Sequence, residues 1–280
     1  MKILVTGANG QLGQTFLASS EASSRILFLD RSKLNVADPA AVAEVVQTFK
    51  PHFIFHFASL TRRLECANNP VLAHSVNVVG TKNIIEACKK VNATLVFTST
   101  NEVFDGNRSN TYTEKSVTNP ITTVGKTKLA AEELIQKELE KYYIVRTMWL
   151  YSKWSKNFLH SIVEVARKKR ELSLVTDEIG SPTNSLDLMK AINDLIDTNA
   201  FGTYHIVNSG KASRKDFGAF ALRQLGLQPK ILSVTLSEFG DTEKPPRMSA
   251  LSIKKLESRS IFMPTWEASL QSFLHDNYSS

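Results

Sequence analysis

The chemistry of the chain starts at Thr6-Gly7-Ala8-Asn9-Gly10-Gln11-Leu12-Gly13, where three glycines in a GxxGxxG spacing directly follow an apolar run. Gly7 suits a tight turn, and Gly10 leaves the backbone bare for a pyrophosphate. Gly13 allows close helix packing, and the N-terminus of the following helix supplies free amides and a favourable dipole. The glycine trio alone is a weak signal. Its setting, between a first strand and a first helix and ahead of a second strand that ends in Asp30, points to a dinucleotide. Asp30 suits an adenosine ribose and favours NAD, whereas Arg31, Ser32 and Lys33 suit a 2′-phosphate and favour NADP, so the cofactor reads as NADPH or NADH. No His, Cys, Asp or Glu grouping has metal-ligand spacing, and no Gly-x-Ser-x-Gly elbow supports serine hydrolysis. His56 and His205 lie in strand-like apolar runs and read as core histidines.

Elements that alternate strand and helix must position these residues. Apolar runs at 2–6, 26–30, 53–57, 94–98 and 142–148 read as strands, and helical periodicity covers 11–20, 38–49, 70–90 and 124–141. This alternation predicts a doubly wound parallel sheet. Beyond Trp149 the sequence reads as helices at 157–170, 185–198, 213–225 and 265–276 with short strands at 172–175, 203–207 and 230–234. These pieces are too scattered for a second self-contained domain. The expected division is a nucleotide-binding domain over 1–150, to which the chain returns near 185–210, and a smaller lobe over 151–280, with a ligand crevice between them.

The 280 residues carry a net charge of +7, from 34 Lys plus Arg against 27 Asp plus Glu, which by itself does not choose among nucleic acid, membrane surface and an anionic small molecule. No aromatic-interleaved basic groove or zinc-finger spacing supports nucleic-acid binding, and the run Arg167 to Arg170 reads as the solvated face of an amphipathic helix. No segment reaches the roughly 18 uninterrupted apolar residues of a membrane span. Cys66 and Cys88 have no paired or metal-ligand spacing and read as packing residues in a reduced, cytoplasmic setting.

The motifs TGANGQLG at 6–13, STNEVFDG at 99–106, NP at 119–120, GKTK at 125–128, RTMWLY at 146–151, IGSPT at 179–183 and PPRMSAL at 245–251 run in order nearly from end to end. Together they resemble the dTDP-4-dehydrorhamnose reductase family of extended short-chain dehydrogenases/reductases. The resemblance implies an α/β fold, a Rossmann-type doubly wound parallel sheet with a smaller C-terminal substrate lobe. It also implies an oxidoreductase that binds NAD(P)H and a nucleotide-linked 4-keto-6-deoxy sugar, as a monomer or homodimer. The implied cofactor positions are Gly7, Asn9, Gly10, Gln11, Leu12, Gly13, Asp30, Arg31, Asn35, Ala58 and Lys128. The implied substrate positions are Thr61, Trp149, Asn157 and Arg247, with Ser249 and Phe158 nearby and Asn77 supporting the site from a helix.

In such enzymes a Ser or Thr, a Tyr, and a Lys four residues after the Tyr carry the chemistry; Thr100, beside Ser99, and Lys128 match the first and last of these. The Tyr position holds Val124, which neither donates a proton nor hydrogen-bonds an oxyanion. Losing a general acid removes about 10²–10⁴ in rate. The segment Ser59-Leu60-Thr61-Arg62-Arg63-Leu64-Glu65 also departs from the family pattern, and Glu102 stands where these reductases tend to carry another Tyr. Glu102 sits in a stretch similar to Ser-Thr-Asp-Glu-Val of the 4,6-dehydratases, and a desolvated Glu102 is a candidate substitute acid. Tyr151 is a weaker candidate, expected in packing, and Tyr112 is expected on a surface loop. The leading expectation is therefore an atypical reductase with Thr100, Lys128 and Glu102 at its centre. A non-catalytic dinucleotide-binding regulatory or scaffold protein is the alternative, and a changed reaction assisted by Glu102 comes third.

Overall fold

The apolar runs become the strands of one parallel sheet: β1 (Lys2–Thr6), β2 (Arg25–Leu29), β3 (Phe53–His56), β4 (Thr94–Thr100), β5 (Tyr142–Thr147) and β6 (Gly202–His205). This is a computed structural model, and it describes residues 1–20, 25–239 and 243–278. The sheet order is β6-β5-β4-β3-β1-β2, with every pair parallel. The order reverses beside β1, so the connections that leave β1 and β3 cross to opposite faces of the sheet, the arrangement that leaves a crevice above the carboxyl ends of the strands.

Helices α1 (Gln11–Ser19), α2 (Pro39–Phe49), α3 (Gly80–Val91) and α4 (Thr123–Glu138) make the crossovers. Their ends are set by local chemistry. Asp38 caps α2 through the Ala40 and Ala41 amides with Pro39 in the first turn, and Lys50 and Asn92 adopt left-handed conformations that stop α2 and α3. One face of the sheet packs Leu4, Ile54, Leu95 and Ile144 against α2, α3 and α4. The other packs Val5, Phe55, Val96 and Val145 against α6 (Ser185–Asp197), which is also tied to α1 by a Thr15–Ser185 hydroxyl bond of 2.9 Å.

A third apolar cluster lies beyond β5. Helices α5 (Phe158–Lys168), α7 (Arg214–Gln224) and α8 (Trp266–Tyr278) surround Tyr151, Phe217, Trp266 and Leu270, and strands 171–175 and 230–234 pair in parallel beside them. The basic run at 167–170 crosses the end of α5 rather than lying wholly on it, because the helix stops at Lys168. Two small strand pairs, 150–151 with 183–184 and 179–180 with 212–213, hold the loops that face the sheet's carboxyl edge. They are too short to leave a periodic signal in the sequence.

Candidate active site

Two cavities meet at Gly7, Gly10, Phe57 and Ser59, above the carboxyl ends of the strands. The smaller, about 230 Å³, is lined by Asn9, Asp30, Arg31, Asn35 and Ala58, with Leu34, Val36 and Val76 as its apolar wall. The larger, about 480 Å³, takes in Gln11, Leu12, Thr61, Thr100, Glu102, Val124, Lys128 and Trp149.

The glycine turn divides its work among its three members. Gly7 has φ +69°, and a Cβ there would lie 2.6 Å from the Ala58 amide nitrogen, so the turn and the β3 loop touch backbone to backbone. At Gly13 a Cβ would lie 2.5 Å from the Ala8 carbonyl oxygen. That glycine is for packing and does not line either cavity. At Gly10 a Cβ would meet only the Gly7 carbonyl oxygen, at 3.2 Å, and the space beyond it is open. An open backbone face at the N-terminus of α1 fits a dinucleotide phosphate. Asp30 is already engaged by Asn9 Nδ2 at 2.7 Å, by the Ser32 hydroxyl and amide, and by the Lys33 amide, and the Ser32 hydroxyl above all, with the two amides, holds its carboxyl below the usual range.

A hydrogen-bond chain beneath the crevice assigns a proton to His56. The Ala58 amide donates to Thr6 Oγ1, which donates to His56 Nδ1 at 2.8 Å; His56 Nε2 donates to Thr81 Oγ1, which donates to the Asn77 carbonyl. His56 is thus neutral and satisfied, with its pKa pulled down to about 3 chiefly by burial. Asn77 lies in a π-helical turn, Ser75–Val79, and its amide grips both sides of Leu60 while donating to Thr127 Oγ1 on α4. The loop after β3 is thereby pinned to the helix that carries Lys128.

β4 runs two residues past its expected end, to Thr100, and delivers Ser99, Thr100 and then Glu102 to the larger cavity. The Thr122 hydroxyl accepts the Gly125 amide, capping α4, and donates to Glu102 at 2.6 Å. Gly125 is needed there because a Cβ would fall 2.0 Å from the Glu102 carbonyl oxygen. Burial raises the Glu102 pKa, and the Arg63 guanidinium, 3.8 Å away, and the Thr122 bond oppose that rise. Lys128 is buried, donates to the Thr98 carbonyl at 2.8 Å and lies over the Phe97 ring; burial pulls its pKa down to about 8.

Val124 lines the same cavity and packs with Leu60, Cys66 and Ala73 in a small apolar cluster. The Cys66 thiol, pushed up to about 11 by burial, is a packing group there. Opposite, Trp149 adopts φ 47° and stacks under the Arg214 guanidinium, 3.7 Å from the ring centroid, while Glu178 takes two bonds from Arg214. Arg63, Glu178 and Arg214 all line the cavity although sequence reasoning had not singled them out as site residues. Arg63 lay within a segment noted as unusual; nothing local marks the other two.

Three expectations need correction. Asn157 does not face the cavity, because its side chain caps α5 at His160 and donates to the Ser152 and Ser155 carbonyls. Arg247 lies outside the lining and is paired with Asp177, while the neighbouring Ser249 is buried and bonded to Asn101. Tyr112 is not on a surface loop: it is buried, stacked on Phe104, and its hydroxyl joins Asp105 to the Gly106 amide. Tyr151, expected in packing, is found there, in the lobe core against Phe217 and Phe273 and bonded to Ser269.

The chain matches the family described as the RmlD substrate binding domain over residues 1–279. It is 32% identical over 280 residues to a spore coat polysaccharide biosynthesis protein, SpsK, of Bacillus subtilis, covering 100% of this chain and 99% of that one. Among solved structures it is similar to a dTDP-4-dehydrorhamnose reductase from Bacillus anthracis in complex with NADP, at TM-score 0.96 and 34% identity over 99% of each chain. A dTDP-4-dehydrorhamnose reductase from Clostridium acetobutylicum gives TM-score 0.95 and 33% identity over 98% of each.

Proposed function

We propose that this chain, which belongs to the RmlD substrate binding domain family, is an NAD(P)H-dependent oxidoreductase that reduces a nucleotide-linked 4-keto-6-deoxy sugar. The observation that carries the reading is the continuous crevice from the Gly7–Gly10 turn to Thr100, Glu102 and Lys128. Relatives named as dTDP-4-dehydrorhamnose reductases, one of them in complex with NADP, support the same chemistry. Residues 1–150 with the return at 185–210 form the cofactor half in this reading, and most of 151–280 forms the substrate lobe.

Gly7, Gly10 and the first amides of α1 would hold the pyrophosphate, with Asn9, Asp30, Arg31, Asn35 and Ala58 around the adenosine end and Gln11 and Leu12 toward the middle. Bound NAD(P)H supplies a hydride. Lys128 would donate to the nicotinamide ribose, and the Thr100 hydroxyl would turn its proton from Asn101 Oδ1, 3.2 Å away, to the sugar's carbonyl oxygen. As the carbonyl carbon gains a hydride, its π electrons move to the oxygen, which must take a proton. Val124 has none to give. Glu102, kept protonated to higher pH by burial, passes its proton to that oxygen through water and is reprotonated from solvent. Thr61 and Trp149, which line the larger cavity, would face the sugar. Buried free thiols at Cys66 and Cys88 suit a reducing cytoplasm, and among the described residues no helix is long and apolar enough to cross a membrane.

The apolar packing around Val124 favours a second reading, a dinucleotide-binding regulatory or scaffold protein of the same fold. Incubation with NADPH and a panel of dTDP-4-keto-6-deoxy sugars, followed by mass spectrometry of the sugar nucleotides, separates the two. A product two mass units heavier supports the reductase. Tight cofactor binding with no product across the panel favours the binding protein.

A further inference from the structure

Directly beneath the crevice lies a buried polar cluster that the mechanism above does not use. Glu132 is on the same helix as Lys128, one turn further on, and is 1% exposed. Arg146 donates to it from Nε, shared between both carboxylate oxygens at 3.0 and 3.1 Å, and from Nη2 at 2.6 Å, and the Ser99 hydroxyl donates as a second partner. Arg146 is on β5, Ser99 on β4, and the two residues are directly paired in the sheet. Three elements therefore converge on one carboxylate.

A buried ion pair is a poor investment in stability alone, since well-packed apolar side chains often do as well. This one lies beside both reactive groups of the site: it bonds Ser99, the residue before Thr100, and stands one helical turn from Lys128 on the same buried side of α4. Ser99 immediately precedes Thr100, so the Ser99–Glu132 bond fixes the strand end that aims the Thr100 hydroxyl. Lys128 sits among groups that give it little reason to stay charged. His56 on β3 is neutral and Cys66 on the 63–68 helix is a protonated thiol. Phe97 and the Thr98 carbonyl on β4 offer a ring and one acceptor.

We propose that Glu132 is a positioning residue for the reaction: its carboxylate is the counter-charge that keeps the Lys128 ammonium protonated inside the site, and through Ser99 it orients Thr100. Arg146 holds that carboxylate in place and limits how strongly it acts on Lys128. Burial lowers the Lys128 pKa to about 8, and Glu132 is the largest opposing influence. The inference rests on the reading in which Lys128 serves the cofactor, but the ionisation of Lys128 can be followed without cofactor.

The experiment is a pH titration of the whole protein labelled with ¹³C at the lysine ε carbon, with the Lys128 resonance assigned by its absence in Lys128→Met. Glu132→Gln leaves Arg146 as an uncompensated cation and should lower the Lys128 midpoint by about one pH unit or more, a tenfold weaker hold on the proton. Glu132→Asp keeps the charge and should restore most of that shift, which a purely space-filling role would not. Arg146→Met should raise the midpoint. Where Glu132→Gln fails to fold, the double variant Glu132→Gln/Arg146→Met strands no charge, and it should still titrate below the wild type. NADPH titrations on the same samples should show affinity declining as pH rises through each variant's own midpoint. Lys128 midpoints that coincide in wild type, Glu132→Gln and the double variant would overturn the proposal. Midpoints that shift as stated, in a protein that binds no NADPH, would uphold it and overturn the cofactor reading instead.

Discussion

At the Gly7–Gly10 turn the chain leaves backbone bare, with open space beyond Gly10 and two cavities on either side, whereas at Val124 it fills the equivalent ground with Leu60, Cys66 and Ala73. The polar groups of the two regions differ in the same way. Those near the turn form Asx-type and side-chain bonds that leave the cavity wall accessible, as Asn9 and Asp30 do. Those around the larger cavity are taken up by one another: Glu102 accepts from Thr122 with the Arg63 guanidinium 3.8 Å away, and across the cavity Arg214 is held by Glu178. Cofactor recognition depends mainly on backbone shape, which any sequence with the right glycines supplies. Proton delivery depends on one side chain at one place, and here the position matched by resemblance carries an apolar residue.

The sharpest way to break the contrast is Val124→Tyr. If the reductase reading is right and only the acid is displaced, a phenol there should raise the rate of sugar reduction by about 10²–10⁴, measured as steady-state NADPH consumption. No gain, with NADPH affinity intact, would mean that the apolar cluster has closed the site to its substrate. Next in size, Glu102→Gln should lower turnover by about 100-fold with little change in cofactor affinity. Its pH profile carries a sign. The raised pKa keeps Glu102 in its acid form to higher pH, so the wild-type rate should hold at low pH and fall as pH rises through that pKa. The variant should lose this fall. A profile unchanged by the substitution would remove Glu102 from the proton route.

On the cofactor side, Gly10→Val should leave the fold standing, since only the Gly7 carbonyl crowds a Cβ there. NADPH affinity should drop roughly 10- to 100-fold, the equivalent of about 1–3 kcal/mol of overpacking. Calorimetric titration reads this directly. The smallest effect is expected at Arg31, an exposed residue on the rim of the smaller cavity. Arg31→Ala should weaken NADPH by about two- to fivefold, as exposed charge contacts generally do, and leave NADH unchanged. Equal losses for both cofactors would place the 2′-phosphate elsewhere.

The order of strands and helices was legible because each depends on local periodicity, and the glycine turn because its spacing, strand before and helix after form one short motif. The π-helical turn at Ser75–Val79 was not, since nothing in its composition distinguishes it from the α-helix it interrupts. Tyr112 was misplaced because its surroundings in sequence are polar while its partners, Phe104 and Asp105, are brought to it by the fold. Arg247 and Asn157 were expected at the site only through the family resemblance, and Asp177 and the start of α5 engage them instead. Arg63, Glu178 and Arg214 enter the cavity from three separate segments, and the Glu132–Arg146 pair joins a helix to a strand. Such convergence is a property of topology, and a single sequence carries no local mark of it.

The most direct test of the account is a single-turnover measurement with the unmodified protein in excess over NADPH, following nicotinamide absorbance after addition of a dTDP-4-keto-6-deoxy sugar. The bound NADPH should be oxidised slowly but completely, and more slowly still in Glu102→Gln. NADPH that binds and stays reduced across the whole panel of sugars would contradict it and leave the crevice as a binding site without a reaction.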